Sequence, residues 1–129
     1  MVTIKKIMSK NILRVSEETT VKEAAKIMKT SKIGCLLVEK DKTPVGIITE
    51  TDIVRRLVAE EKDAGITQVK TIMSSPLLSI DASKSVIDAN DMMDKNSIRH
   101  LIIKEEGLIV GVVSSRDMMR PLYMEGEEW

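Results

Sequence analysis

Val45-Gly46-Ile47-Ile48-Thr49-Glu50-Thr51-Asp52 is an apolar, β-type run with a glycine near its start and a hydroxyl residue at its end. A carboxylate follows three positions after the hydroxyl. The pattern returns as Val110-Gly111-Val112-Val113-Ser114-Ser115-Arg116-Asp117. Each copy predicts a strand that runs directly into a helix. Hydroxyl and carboxylate then share the helix N-terminus, where unpaired N–H groups and the helix dipole favour an anion.

Working outward from the two copies exposes an internal repeat. A shift of 65 positions lays residues 4–57 on residues 69–122 without a gap, and about 15 of the 54 aligned pairs are identical. Ile7-Met8-Ser9 falls on Ile72-Met73-Ser74; Val21, Ala24 and Met28 fall on Val86, Ala89 and Met93. Ile33 and Leu36 meet Ile98 and Leu101, and about ten further pairs exchange one aliphatic for another. The chain is a duplication.

One repeat gives the local structure of both. Residues 12–15 form a short strand. Thr20-Val21-Lys22-Glu23 has the form of a capping box, and Val21, Ala24, Ala25 and Met28 then mark one apolar helix face. Residues 35–38 and 44–48 read as strands around a charged turn at 39–43. Ile53, Val54 and Leu57 mark a second amphipathic helix from residue 50. The second repeat predicts the same β-α-β-β-α order, over 77–80, 85–95, 100–104, 108–113 and 115–119. Gly107 turns its hairpin and Pro121 closes its last helix. A unit of about 54 residues is near the lower limit of independent stability. The expectation is therefore a mixed α/β fold of two pseudo-symmetric repeats packed as one module, over 4–60 and 69–122. A linker covers 61–68 and an acidic tail covers 123–129.

Composition bounds the function. Lys plus Arg and Asp plus Glu are 20 each, so there is no broad basic footprint for nucleic acid. No apolar run approaches the roughly 18 residues of a membrane span, and the basic N-terminus lacks a signal-peptide core. With one cysteine, Cys35, the chain forms no internal disulfide and suits a reducing cytoplasm. One His and one Cys do not assemble a usual zinc site. No nucleophile–base pair or carboxylate pair stands out, so the chain is not expected to be an enzyme.

The repeat order, the opening Ile-Met-Ser, the Val-x-x-Ala helix and Gly-x-x-Thr/Ser-x-x-Asp together resemble the CBS domain, in tandem, over residues 4–122. The resemblance implies a regulatory module that binds adenosine-containing ligands in clefts between the repeats: AMP, ADP or ATP, or alternatively S-adenosylmethionine. It also implies a homodimer. With no output domain in the sequence, the regulated protein is expected to be another chain. A ligand-free dimerisation scaffold is the competing class.

Carried over by resemblance, Asp52 with Thr49, and Asp117 with Ser114, hold ribose and phosphate. An ionised carboxylate is acceptor-only and takes both protons of a cis-diol. By the same resemblance Thr49 and Asp52 face Pro76, Leu77 and Leu78 with Ile98, Arg99 and His100. Ser114 and Asp117 face Asn11, Ile12 and Leu13 with Ile33, Gly34 and Cys35. Arg99-His100 resembles a phosphate-reaching basic pair, and Gly34-Cys35 offers no cation, which ranks the Asp52 cleft as the tighter one. Arg116 beside Asp117 partly compensates. Both Thr49-x-x-Asp52 and Ser114-x-x-Asp117 are equally N-capping patterns that stabilise a helix by about 1 kcal/mol with no ligand. Taken without the family context, capping is the commoner role.

Overall fold

The computed structural model describes residues 2–119. Pro121 and the tail at 123–129, on which two sequence expectations rest, lie outside the described residues. The described residues form two compact bodies, one from residues 13–77 and one that joins residues 2–12 to residues 78–119.

The contiguous body holds a three-stranded sheet in the order β1 (Arg14–Ser16), β2 (Cys35–Lys40), β3 (Thr43–Thr49). β1 pairs with β2 in parallel and β2 with β3 antiparallel. Parallel pairing requires a crossover, supplied by α2 (Val21–Ser31). Thr20 caps α2 by accepting the Glu23 N–H at 3.2 Å. The helix turns Val21, Ala24 and Met28 onto Leu36, Val38 and Ile48, an aliphatic core without an aromatic ring. The strand expected at 12–15 starts later, because the N–H groups of Asn11 and Ile12 bond locally to Ser9 and Lys10. The turn expected at 39–43 shrinks to Asp41 and Lys42, both at positive φ (50° and 66°), as a two-residue hairpin of right-handed twist requires.

β3 ends in a single helical turn, α3 (Glu50–Asp52), which widens into a π-helical segment over Ile53–Val58. Its Leu57 is buried in the core.

The other body repeats this plan with β4 (Ser79–Asp81), α4 (Val86–Asn96), β5 (His100–Glu105) and β6 (Leu108–Ser114). Here the N-cap is a full box. Ser85 and Asp88 exchange side-chain-to-backbone bonds at 3.1 Å. The backbone N–H and then the hydroxyl of Ser85 hold the Asp88 carboxyl below its ordinary range. The depressed folded value means the contribution is present above the unfolded pKa and lost as pH falls through the folded one. Glu106 and Gly107 turn this hairpin at φ 53° and 80°. The helix expected at 115–119 is a short 3-10 turn, Asp117–Met119.

Each body is closed by a strap that precedes, in sequence, the repeat of the other. The short helix α1 (Ile4–Ile7) with Met8 and Ser9 docks on β6: Ser9 and Val112 exchange backbone bonds at 2.8 and 2.9 Å. Val69–Thr71 with Ile72, Met73 and Ser74 docks on β3, where Ser74 and Ile47 exchange bonds at 2.8 and 3.0 Å. At its other end each strap receives the first helical N–H of its body: Val21 donates to the Thr67 carbonyl and Val86 to the Val2 carbonyl. Helix N-termini leave such groups unpaired, so the straps complete the two helices. Ile4, Val69 and Ile72 are fully buried and Ile7 nearly so. The compact bodies are thus offset from the sequence repeats by the length of a strap.

Gly46 and Gly111 lie where the straps cross. A Cβ on Gly46 would stand 2.7 Å from the Ser74 carbonyl oxygen and 2.9 Å from Met73 Sδ; on Gly111 it would meet Met8 Sδ at 2.5 Å and the Ser9 carbonyl at 2.9 Å. These glycines are spacers for a crossing backbone.

Candidate functional site

The corner between β3 and α3 is built from Thr49 to Asp52, the end of the first glycine-led run. Thr49 is still extended (φ −122°, ψ 164°), and its Oγ1 accepts the Asp52 N–H while Asp52 Oδ2 accepts the Thr49 N–H, both at 3.1 Å. This reciprocal box fixes the carboxylate against the strand end. The corner is therefore a cap in fact as well as in pattern. Its carboxylate has further partners. Ser74 Oγ donates to Asp52 Oδ1 at 2.9 Å and Oδ2 at 3.1 Å, and Arg56 Nε stands 3.8 Å from Oδ1. Arg56 Nη1 also donates to the Ile72 and Met73 carbonyls at 3.3 and 3.0 Å, so it clasps the same strap. Asp52 is 5% exposed, the one charged residue buried among those described.

The matching corner at β6 keeps the box and, among the described residues, lacks the clasp. Ser114 N–H donates to Asp117 Oδ2 at 2.9 Å, and the Asp117 N–H donates to Ser114 Oγ at 3.1 Å. Ser9, the counterpart of Ser74, uses its hydroxyl to accept the Asn11 N–H at 3.2 Å. Pro121 replaces Arg56 in the alignment. Asp117 is only half-buried, and no described residue bonds its Oδ1.

The remaining candidates divide between the bodies. Cys35 is paired with Thr49 in the β2–β3 register, which places both side chains on one face, and the Gly34 carbonyl accepts the Glu50 N–H at 3.0 Å. Pro76, after a cis peptide bond, and Leu77 continue the strap beyond Ser74 in that same body. In the other body His100 pairs with Ser114, and the Arg99 carbonyl accepts the Ser115 N–H at 2.8 Å. Ile98 packs against the aliphatic core; Arg99 and Arg116 are exposed. Asn11 and Ile12 follow Ser9 there. The body that holds Asp52 therefore does not contain Ile98, Arg99 or His100, which adjoin the Ser114 corner. Within that body the cation beside Asp52 is Arg56. It lies four residues after Asp52, a spacing that puts the two on one helical face, and this signal was open to sequence reading. Ser74 was visible only as part of a repeated Ile-Met-Ser.

Among the described residues no group of three or more His, Cys, Asp or Glu is arranged to hold a metal ion. No helix among them is long and apolar enough to cross a membrane.

Known proteins share both the sequence and this architecture. The family model of the CBS domain matches residues 4–59 and again 69–123. The CBS domain-containing protein YhcV of Bacillus subtilis is 33% identical over 118 residues, covering 92% of this chain and 84% of its own. The structure of a CBS-domain protein from Burkholderia ambifaria superposes with a TM-score of 0.90 at 27% identity, over 96% of each chain. The hexameric CBS-CP12 protein of bloom-forming cyanobacteria superposes with a TM-score of 0.85 at 28% identity, over 92% of this chain and 66% of its own. Two matched sheets, two capped Asp corners and these likenesses agree: the chain belongs to the CBS domain family, as a tandem pair.

Proposed function

We propose that the chain is a regulatory sensor of adenosine-containing nucleotides (AMP, ADP or ATP), which it holds through its two Asp corners. The observation that carries this reading is the duplicated corner itself. Each presents a carboxylate and a hydroxyl at a strand end, held in place by reciprocal backbone bonds. A carboxylate so fixed is an acceptor pair of the kind a ribose cis-diol needs, already oriented by the backbone. Arg56 in one body, and Arg99, His100 and Arg116 in the other, supply the donors that a phosphate needs. CBS pairs are in general regulatory ligand-binding modules, and nothing in this site calls for a catalytic role.

Thermal melting of the full chain with AMP, ADP, ATP and S-adenosylmethionine tests the reading. A ligand at about 100 times its dissociation constant adds about 2.7 kcal/mol to the folded state, which raises Tm by several degrees. The expected result is a rise with at least one adenine nucleotide. A rise confined to S-adenosylmethionine moves the specificity to that ligand. No rise with any of the four leaves the scaffold reading.

The same module is proposed to self-associate as a homodimer. Val54 and Val58, 60% and 63% exposed, stand one helical turn apart after the Asp52 corner. Met119, 52% exposed, occupies the position of Val54 in the second repeat. The recurrence of one exposed apolar position in both repeats fits a second copy of this chain, since closed dimers are built from self-complementary patches. Light scattering is expected to give the mass of two chains for the wild type and of one for Val54→Asp. A wild-type monomer at all concentrations would remove the proposal.

A further inference from the structure

Asp52 already has a hydroxyl on its carboxylate, and it belongs to the protein. Ser74 Oγ spans both oxygens, 2.9 Å from Oδ1 and 3.1 Å from Oδ2. A ribose diol that set one hydroxyl on each carboxylate oxygen would take that same place, and Oδ2 also accepts the Thr49 N–H. Asp52 is 5% exposed, so little of the carboxylate is left for a second approach. Ser74 has a reason to stay: its backbone is laddered to Ile47, and Arg56 pins the two residues before it. The other body shows that the contact is not a demand of the fold. There the equivalent Ser9 makes the same ladder to Val112, yet its hydroxyl serves Asn11 and leaves Asp117 alone.

We infer that Ser74 is a built-in competitor at the Asp52 corner, its hydroxyl holding the carboxylate in the place a ribose hydroxyl would take. This rests on the nucleotide reading above and adds a regulatory element to it. A nucleotide binds the Asp52 corner only by displacing Ser74, whereas the Asp117 corner opens without such an exchange. Loss of the Ser74 bond loosens the strap from β3 at its last ladder residue, so occupancy at Asp52 is felt along residues 72–74. The hydroxyl is a positioning group and touches no reacting atom.

Calorimetric titration of the full chain with AMP and with ATP tests the inference on wild type, Ser74→Ala, Ser74→Thr and Ser9→Ala. A hydrogen bond to a charged group is of a size to change affinity about tenfold. Ser74→Ala is expected to bind about tenfold more tightly at one site while melting at a lower temperature without ligand. Ser74→Thr, which keeps the hydroxyl, and Ser9→Ala, whose hydroxyl lies off Asp117, are expected to bind as the wild type does. A merely structural serine would lower stability and leave affinity unchanged or weakened, and that result overturns the inference while the nucleotide reading stands. Binding by Ser74→Ala but not by wild type supports it most strongly. Silence in all four folded variants sinks the nucleotide reading, and the competitor with it.

Discussion

Asp52→Ala is expected to lower the unfolding free energy by about 2–4 kcal/mol without any ligand, and Asp117→Ala by about 1 kcal/mol. Both substitutions remove the carboxylate half of a capping box, which accounts for the smaller figure. Only the first also strands the half-buried hydroxyl of Ser74 and takes away the charge beside Arg56, since Ser74 and Arg56 contact Asp52 and Asp117 has no such neighbours among the described residues. A polar group left unpaired away from water costs more than the bond it made, about 1–3 kcal/mol. Urea unfolding monitored by circular dichroism reads both variants on one scale. Equal losses would show that Ser74 adds nothing to the corner beyond its cap. The measurement needs no nucleotide, so it is independent of what the corner binds.

Gly46→Ala is the second large effect, expected at about 2–3 kcal/mol, against about 1 kcal/mol for Gly107→Ala. The two glycines fail for different reasons. At Gly107 the backbone stands at φ 80° with open space around the missing Cβ, so alanine meets only the left-handed penalty. At Gly46 the backbone is ordinary strand, and a Cβ would press on the Ser74 carbonyl at 2.7 Å. That oxygen is bonded to the Ile47 N–H and has nowhere to retreat without breaking the ladder. Met73 Sδ, at the end of a flexible chain, gives way more readily than a carbonyl can. Chemical denaturation of the two variants should separate conformation from crowding. A Gly46→Ala variant as stable as wild type would mean that the strap docks less tightly than the spacing requires.

Much of the fold was legible because the repeat doubled every weak signal. A hydroxyl three positions before a carboxylate gave the caps at Thr49 and Ser114. Apolar positions at helical spacing gave α2 and α4, and Gly107 gave the turn of the second hairpin. The straps were not legible. Ile7-Met8-Ser9 and Ile72-Met73-Ser74 carry the same aliphatic pattern whichever sheet they join, and hydrophobic periodicity does not name a partner. The facing of Arg99 and His100 toward Asp52 rests on resemblance alone; within their own body they adjoin the Ser114 end of β6. The tight turn at Asp41-Lys42 was read too long because neither residue is a glycine. Asp and Lys pay for that conformation, and the strand pairing on either side compels it.

The offset between repeats and bodies also has a consequence for the order in which the chain matures on the ribosome. Residues 13–77 contain everything their body needs, so its core closes as soon as its own strap has been made. The other body joins residues 2–12 to a segment that starts at 78, and its first strap, with Ile4 and Ile7 uncovered, waits until β6 has been synthesised. Contacts that close so long a loop form late, because the loop entropy is lost before the contact repays it. Half of this duplicated chain is therefore finished early and locally, and the other half late and at long range, although the two repeats follow one plan.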